Sequence, residues 1–240
     1  LITFDMEDPA LPKSNTSHYL QDNFSGSSLR LGWEFRGTPS RPWWRVANNS
    51  LSLRGTTATL NALDGMALVL RKQDALFYTF SVDMTFNPTM DTQEAGIVAW
   101  VNDHYHDTVS VVQCQDGSNS TCLKTLVTVG ERGGDEDGNV TTTYYPLPSQ
   151  ASGNGTQSTG STTVRLSIRT TPETYQLGYS LAGDNATTWL TAYTASWMAP
   201  HYEGRISWQG ARMGMYATGN GVTMLEEAVF KNVEVVRGPY

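Results

Sequence analysis

Carboxylates, histidines and aromatic rings are the side chains here that could do chemistry, and their spacing decides which kind. Two carboxylates about 5–10 Å apart can serve as acid and as nucleophile or base on a glycosidic bond, and alternate residues of one strand share a face that could hold them. A Glu-X-Asp-X-X-Glu string would be the signature, and the chain has none. Its acidic groups are scattered. Glu94 heads an apolar run, Asp103 and Asp107 flank His104-Tyr105-His106, and Glu226 and Glu227 are neighbours that face opposite ways in a strand. Asp135-Glu136-Asp137 precedes Gly138 and reads as a solvated turn. No catalytic residue is assigned. No Gly-X-Ser-X-Gly elbow precedes a helical pattern. His104 and His106 with Asp103 and Asp107 lack a convincing third zinc ligand, and a solvated hairpin turn is the expectation there.

Aromatic rings are the remaining chemistry, because their flat faces stack on sugar C–H surfaces while nearby amides and carboxylates bond the hydroxyls. Trp43 and Trp44 are adjacent after Pro42, so in extended chain one points inward and one outward. Trp100, Tyr105 and Trp208 are further candidates, each with a core reading beside the binding one. Glu94, Asn102 and Arg71 are the polar groups placed near a bound sugar.

A neutral polymer suits the composition. The net charge is −7 and the isoelectric point near 5.0, which argues against nucleic acid and anionic membrane as partners. No apolar run reaches the roughly 18–20 residues a bilayer span requires. The opening LITFDMEDPAL lacks a basic start and a long apolar stretch, so the chain is expected to be mature or a fragment. Asn-X-Ser/Thr acceptors at Asn15, Asn23, Asn48, Asn119, Asn139, Asn154 and Asn185 predict a glycosylated, extracellular protein secreted by a eukaryote. Cys114 and Cys122 bracket the turn-rich QDGSNST, which predicts a hairpin disulfide, with a pair of buried thiols as the alternative.

The elements that must position these groups are strands. In YTFSVDMTF, Phe80, Val82, Met84 and Phe86 alternate with Thr79, Ser81, Asp83 and Thr85. VRLSI and YQLGY repeat the pattern, TVSVVQ and KNVEVV add two more strands, and EAGIVAWV is apolar on both faces, as a covered central strand would be. In GMYATGNG a buried strand containing a close-approach glycine runs into an Asn-Gly turn. No long 3.6-residue period appears. The prediction is an all-β, two-sheet antiparallel sandwich spanning 21–240, with residues 1–20 as a leader or linker on the surface and 131–162 as a long glycosylated excursion.

Four segments together carry a family resemblance: DNFSGSSLRLGWEFRGTPSRPWWRV with LSLRG, then FSVDMTFNPTMDTQEAGIVAWVNDHYH, then ISWQGARMGMYATGNG. From about Asp22 to Val236 the sequence resembles the concanavalin A-like sandwich, a jelly roll, that follows the propeller of family-43 glycoside hydrolases, which are β-xylosidases and α-L-arabinofuranosidases. It is similar also to carbohydrate-binding module family 91. The resemblance implies a non-catalytic accessory domain that recognises plant cell-wall xylan or arabinoxylan, or completes the cleft of a five-bladed catalytic propeller. A glycosidase acting on xylosides or arabinosides and a purely structural buttress are the alternatives. It implies no required cofactor and a possible structural calcium at Asp22, and the secretory acceptors suit a fungal source. The 131–162 stretch, the cysteine pair and the missing propeller depart from the family pattern.

Overall fold

The computed structural model describes residues 18–37, 43–117, 120–129, 139–147, 162–181, 184, 186–195, 201–202, 205–206 and 210–238. The strands, in chain order, are β1 (His18–Asp22), β2 (Trp33–Phe35), β3 (Trp44–Ala47), β4 (Ser50–Arg54), β5 (Ala67–Lys72), β6 (Tyr78–Phe86), β7 (Glu94–Trp100) and β8 (His106–Gln113). They continue as β9 (Thr121–Val129), β10 (Asn139–Pro146), β11 (Thr162–Thr170), β12 (Thr174–Leu181), β13 (Thr188–Thr194), β14 (His201–Tyr202), β15 (Arg205–Ile206), β16 (Arg212–Thr218) and β17 (Glu227–Arg237). No α-helix occurs among the described residues.

Two antiparallel sheets face each other. The eight-stranded sheet runs β13-β12-β11-β6-β17-β4-β3, and β1 also pairs with β17. The seven-stranded sheet runs β10-β9-β8-β7-β16-β5-β2. Along β17 the partner on one edge changes, since Glu227–Phe230 pair with β4 while Val233–Arg237 pair with β1. A bulge between Lys231 and Glu234 lies at that change, with Asn232 at φ 49°. Asn tolerates this left-handed geometry better than a branched residue, so the kink falls where the sequence can take it.

Alternation explains the layers. Phe80, Val82, Met84 and Phe86 of β6 are buried between the sheets with Ile97, Val109, Leu166, Ile168, Met215 and Phe230. The seven-stranded sheet also carries a smaller core on its outer face, where Leu60 and Met66 cover Leu68, Leu70, Val98, Trp100 and Tyr216. That second cover is why every residue of β7 is buried, matching its unbroken apolar run.

The GMYATGNG stretch becomes β16 and the turn that leads to β17, the last strand. A Cβ at Gly214 would lie 2.2 Å from the Val69 carbonyl oxygen, so the strand needs glycine to pair closely with β5. Asn220 at φ 46° and Gly221 at φ 99° make the turn, and Asn220 Nδ2 donates to the Thr92 carbonyl at 2.8 Å. Gly214→Val should therefore lower stability by about 1–3 kcal/mol, the usual range for overpacking. Urea unfolding measures it, and an unchanged midpoint would contradict the close-approach account.

Two stretches differ from the sequence expectation. Asn139–Pro146, inside the stretch read as an excursion, forms edge strand β10 along Cys122–Val129 of β9. Its residues Val140 to Tyr144 are exposed, so no buried alternation marked it as a strand. The leader ends earlier than residue 20, because His18, Tyr19 and Leu20 already pair with β17.

Candidate functional site

Glu94 is the carboxylate best placed for chemistry by sequence, and the fold takes it out of solvent. Its strand begins beside the 219–221 turn, and alternation aims it away from the inter-sheet core, into a polar cluster on the outer face. Glu94 is 5% exposed. Lys124 Nζ donates to its Oε2 at 2.6 Å, while Tyr216 Oη at 2.5 Å and Ser110 Oγ at 2.9 Å donate to Oε1. Asn220 Nδ2 lies 3.5 Å from Oε2. Burial pushes this carboxyl up, but the Lys124 ammonium and the three hydrogen bonds together hold it below the usual carboxylate range. The group stays ionised and saturated by its own chain. Its buried, fully partnered position differs from the open place near a bound sugar expected from the sequence. Sequence reasoning missed Lys124, Ser110 and Tyr216, and only their polarity within apolar strands could have signalled them.

At the other end of β7, the residues 101–105 form the connection to β8. Trp100 is 1% exposed, stacked on His106 at 5.2 Å between centroids, with the Arg36 guanidinium 5.3 Å above its ring. Buried among Leu68, Leu70, Val98 and Tyr216 as well, Trp100 cannot act as an open stacking platform. Burial lowers the His106 pKa to about 4, against a weaker opposite pull from the Asn102 carbonyl. Arg36 NH2 lies 3.3 Å from Asp103 Oδ1, and Asn61 Nδ2 donates to the Asp103 carbonyl at 3.0 Å. The Asn102 side chain accepts the His104 and Tyr105 backbone N–H groups at 2.9 and 2.8 Å, so it shapes the turn. Tyr105 is half-buried against the main core. The expected hairpin turn is present. Among the described residues no group of three or more His, Cys, Asp or Glu converges on a metal position.

The other nominated aromatics lie elsewhere. Trp43 is buried and meets Phe35 edge to face at 5.4 Å, and the half-buried Trp44 meets the same ring at 5.2 Å. The pair seals the side of the sandwich where β2 and β3 approach, Trp43 within the core and Trp44 at its rim. Arg71 lies over Trp33 at 6.0 Å, far along β5 from Glu94's end of the sheet. Trp208 lies outside the described residues. Asp22 is buried, and its carboxylate accepts the Phe24 N–H and the Trp33 Nε1–H, both at 2.8 Å, with Arg30 Nε 3.7 Å away. A carboxylate that ties down a loop and already faces a guanidinium does not suit calcium, which collects several oxygen ligands.

Cys114 and Cys122 are joined by a disulfide, Cα to Cα 5.0 Å, across the β8–β9 hairpin, which excludes the paired-thiol alternative. Closing so short a loop adds roughly 2–3 kcal/mol on the chain-entropy account. Of the acceptor asparagines, Asn23 and Asn48 are exposed, Asn48 at φ 53° in the β3–β4 turn, and Asn139 begins β10. Asn15, Asn119, Asn154 and Asn185 lie outside the described residues.

The two facing antiparallel sheets, with both faces of β7 covered, form the architecture of a concanavalin A-like sandwich. A family model described as the beta xylosidase C-terminal concanavalin A-like domain matches residues 21–236, and the chain belongs to that family, found in GH43 proteins. The chain is 29% identical over 213 residues to the non-reducing end alpha-L-arabinofuranosidase BoGH43B of Bacteroides ovatus, covering 88% of this chain and 36% of that protein. Among solved structures, the Bacteroides ovatus xyloglucan-locus GH43B superposes with TM-score 0.75 at 25% identity, over 91% of this chain and 39% of that one. A xylan beta-1,4-xylosidase from Bacillus halodurans C-125 gives TM-score 0.74 at 19% identity, over 90% and 38%, and shows the shared fold. The chain thus spans a little over a third of the length of these relatives.

Proposed function

We propose that this chain is a non-catalytic accessory sandwich of a GH43 glycosidase, completing the substrate cleft of a propeller domain that cleaves xylose- or arabinose-containing plant polysaccharide. The match to a C-terminal domain of β-xylosidases over residues 21–236 carries the reading. The chemistry supports it from the other side. Glycoside hydrolysis needs a carboxylic acid poised to give up its proton beside a second carboxylate at an open cleft. Among the described carboxylates, Glu94 is buried and ion-paired, Glu227 is held by Arg45 and Arg54, and Asp107, whose pKa burial raises to about 7, sits inside the core.

The sugars in this proposal come from the relatives' own activities, arabinofuranosidase and xylosidase. Secretion and glycosylation at the exposed Asn23 and Asn48 belong to the same proposal and rest on the acceptor motifs. Incubated with aryl α-L-arabinofuranoside or aryl β-xyloside, the chain by itself should release nothing above buffer. Added to a GH43 propeller domain deprived of its own sandwich, it should raise that domain's melting temperature and its activity. Steady turnover by the chain alone would replace this reading with the glycosidase one, and stabilisation without a gain in activity would leave only a buttress.

A further inference from the structure

We propose that the outer face of the eight-stranded sheet carries a binding site for an acidic sugar, with the exposed Arg169 as the carboxylate receptor and Trp189 as the ring that holds its guanidinium in place. Strand register places the parts. Across β6, β11, β12 and β13, one row of paired residues reads Thr79, Arg169, Gln176, Ala192, and the next reads Ser81, Ser167, Gly178, Trp189. Leu177 and Leu166 on alternate positions are in the core, so both rows point outward.

Gly178 leaves room for the indole. A Cβ there would lie 2.7 Å from Trp189 Cε3, so the ring rests against bare backbone instead of projecting from the edge strand. The Arg169 guanidinium carbon lies 4.4 Å from the indole centroid, and Gln176 Oε1 accepts from Arg169 Nε at 2.8 Å and from its NH2 as well. Ring and side-chain amide together fix an exposed, planar cation in one orientation, with its remaining N–H groups turned to solvent. Such a preset fork is what a carboxylate needs for paired charge-assisted hydrogen bonds.

The charge balance sets this arginine apart from most of the others. In a chain of net charge −7, Arg36, Arg45, Arg54, Arg165, Arg212 and Arg237 each reach a carboxylate. Arg169 forms no ion pair among the described residues. Asp83 and Glu234 are both taken by Arg165, Glu173 in the adjacent β11–β12 turn accepts from Thr171 Oγ1 at 3.2 Å, and the paired positions around Arg169 are Thr, Ser, Gln, Gly and Ala. A uronate, a sugar ring with a carboxylate, matches the pair: its carboxylate meets the outer N–H groups of the guanidinium, and its ring then lies beside the half-buried indole rather than on it. The site rests on the accessory role only for the class of polymer, a polysaccharide, and takes the acidic group from Arg169 itself.

Affinity electrophoresis of the whole chain through glucuronoxylan and through neutral arabinoxylan separates the possibilities. Retardation should be strong in glucuronoxylan and weak in arabinoxylan, and should fade in about 0.5 M salt, where the Debye length falls below the range of a surface contact. Arg169→Gln and Trp189→Ala should each weaken it about tenfold or more, the scale of one charge-assisted contact, with Arg169→Gln leaving the melting temperature unchanged. Equal retardation by both polymers, full binding by Arg169→Gln, or no retardation of the native chain would each overturn the site. No catalytic domain enters this experiment, so its failure leaves the accessory role standing, and failure of that role leaves this site testable.

Discussion

Asp107→Asn is expected to make the protein more stable at pH 8 and to leave it unchanged below pH 4. Asp107 faces the core from β8, where its Oδ1 accepts the Thr128 N–H at 2.6 Å. The Tyr193 hydroxyl faces the same carboxyl without reaching hydrogen-bond geometry, and the Tyr175 hydroxyl is committed to Gln73 at 2.7 Å. Burial therefore dominates and raises the pKa to about 7, while the Thr128 bond relieves it only in part. A carboxyl whose folded pKa lies above its unfolded one binds its proton more tightly when folded. Stability is then full below the unfolded value near 3.8 and is lost as pH rises to about 7. The loss is about 4 kcal/mol, at 1.36 kcal/mol per unit. Asparagine keeps the acceptor for Thr128 without the charge.

His106, the preceding residue on the opposite face, runs the other way. Its pKa falls from 6.5 to about 4, so protonation favours the unfolded chain, and stability is lost as pH drops through that window. The size is about 3 kcal/mol. Between pH 4 and 6.5 the two slopes oppose each other and the native protein should be nearly level. Urea unfolding across pH 4–8 would show Asp107→Asn gaining stability with rising pH and His106→Gln losing it. If Asp107→Asn proves no more stable than the native chain at pH 8, the buried carboxyl is better solvated than its surroundings indicate.

Lys124→Met is expected to be the most damaging single change in the outer-face cluster. It leaves Glu94 buried without its cation, and a stranded buried charge costs about 3–5 kcal/mol. In the native protein the lowered Glu94 pKa gives stability that is present above its unfolded value and lost on acidification. Without Lys124 the direction reverses, because Tyr216 and Ser110 alone cannot offset burial, and the carboxyl takes up a proton. The variant should regain stability from pH 8 to pH 5. Glu94→Gln combined with Lys124→Met should recover most of the loss, since a neutral amide can still meet Tyr216 and Ser110. A loss below about 1 kcal/mol, or one equal at both pH values, would mean the pair behaves as an ordinary surface salt bridge.

Local pattern by itself determined the layers of this protein. The alternation of β6, the unbroken apolar run of β7, the Gly214 close approach and the Asn220–Gly221 turn all report what neighbours along the chain require, and each is where the sequence puts it. The disulfide was legible for the same reason, since only seven residues separate the two cysteines. What tertiary structure decided is the fate of side chains whose partners come from distant strands. Whether Trp100 is a platform or core depended on Arg36 and His106 packing against it, and whether Glu94 meets a ligand or a lysine depended on β8 and β16 flanking β7, with β9 one strand beyond β8. Edge strand β10 shows the same limit, because an exposed strand owes its existence to the backbone of β9 and needs no apolar face of its own. Arg169 and Trp189 are 20 residues apart and become neighbours only through the pairing of β11, β12 and β13. Sequence records which face a side chain takes; register alone sets what stands opposite it.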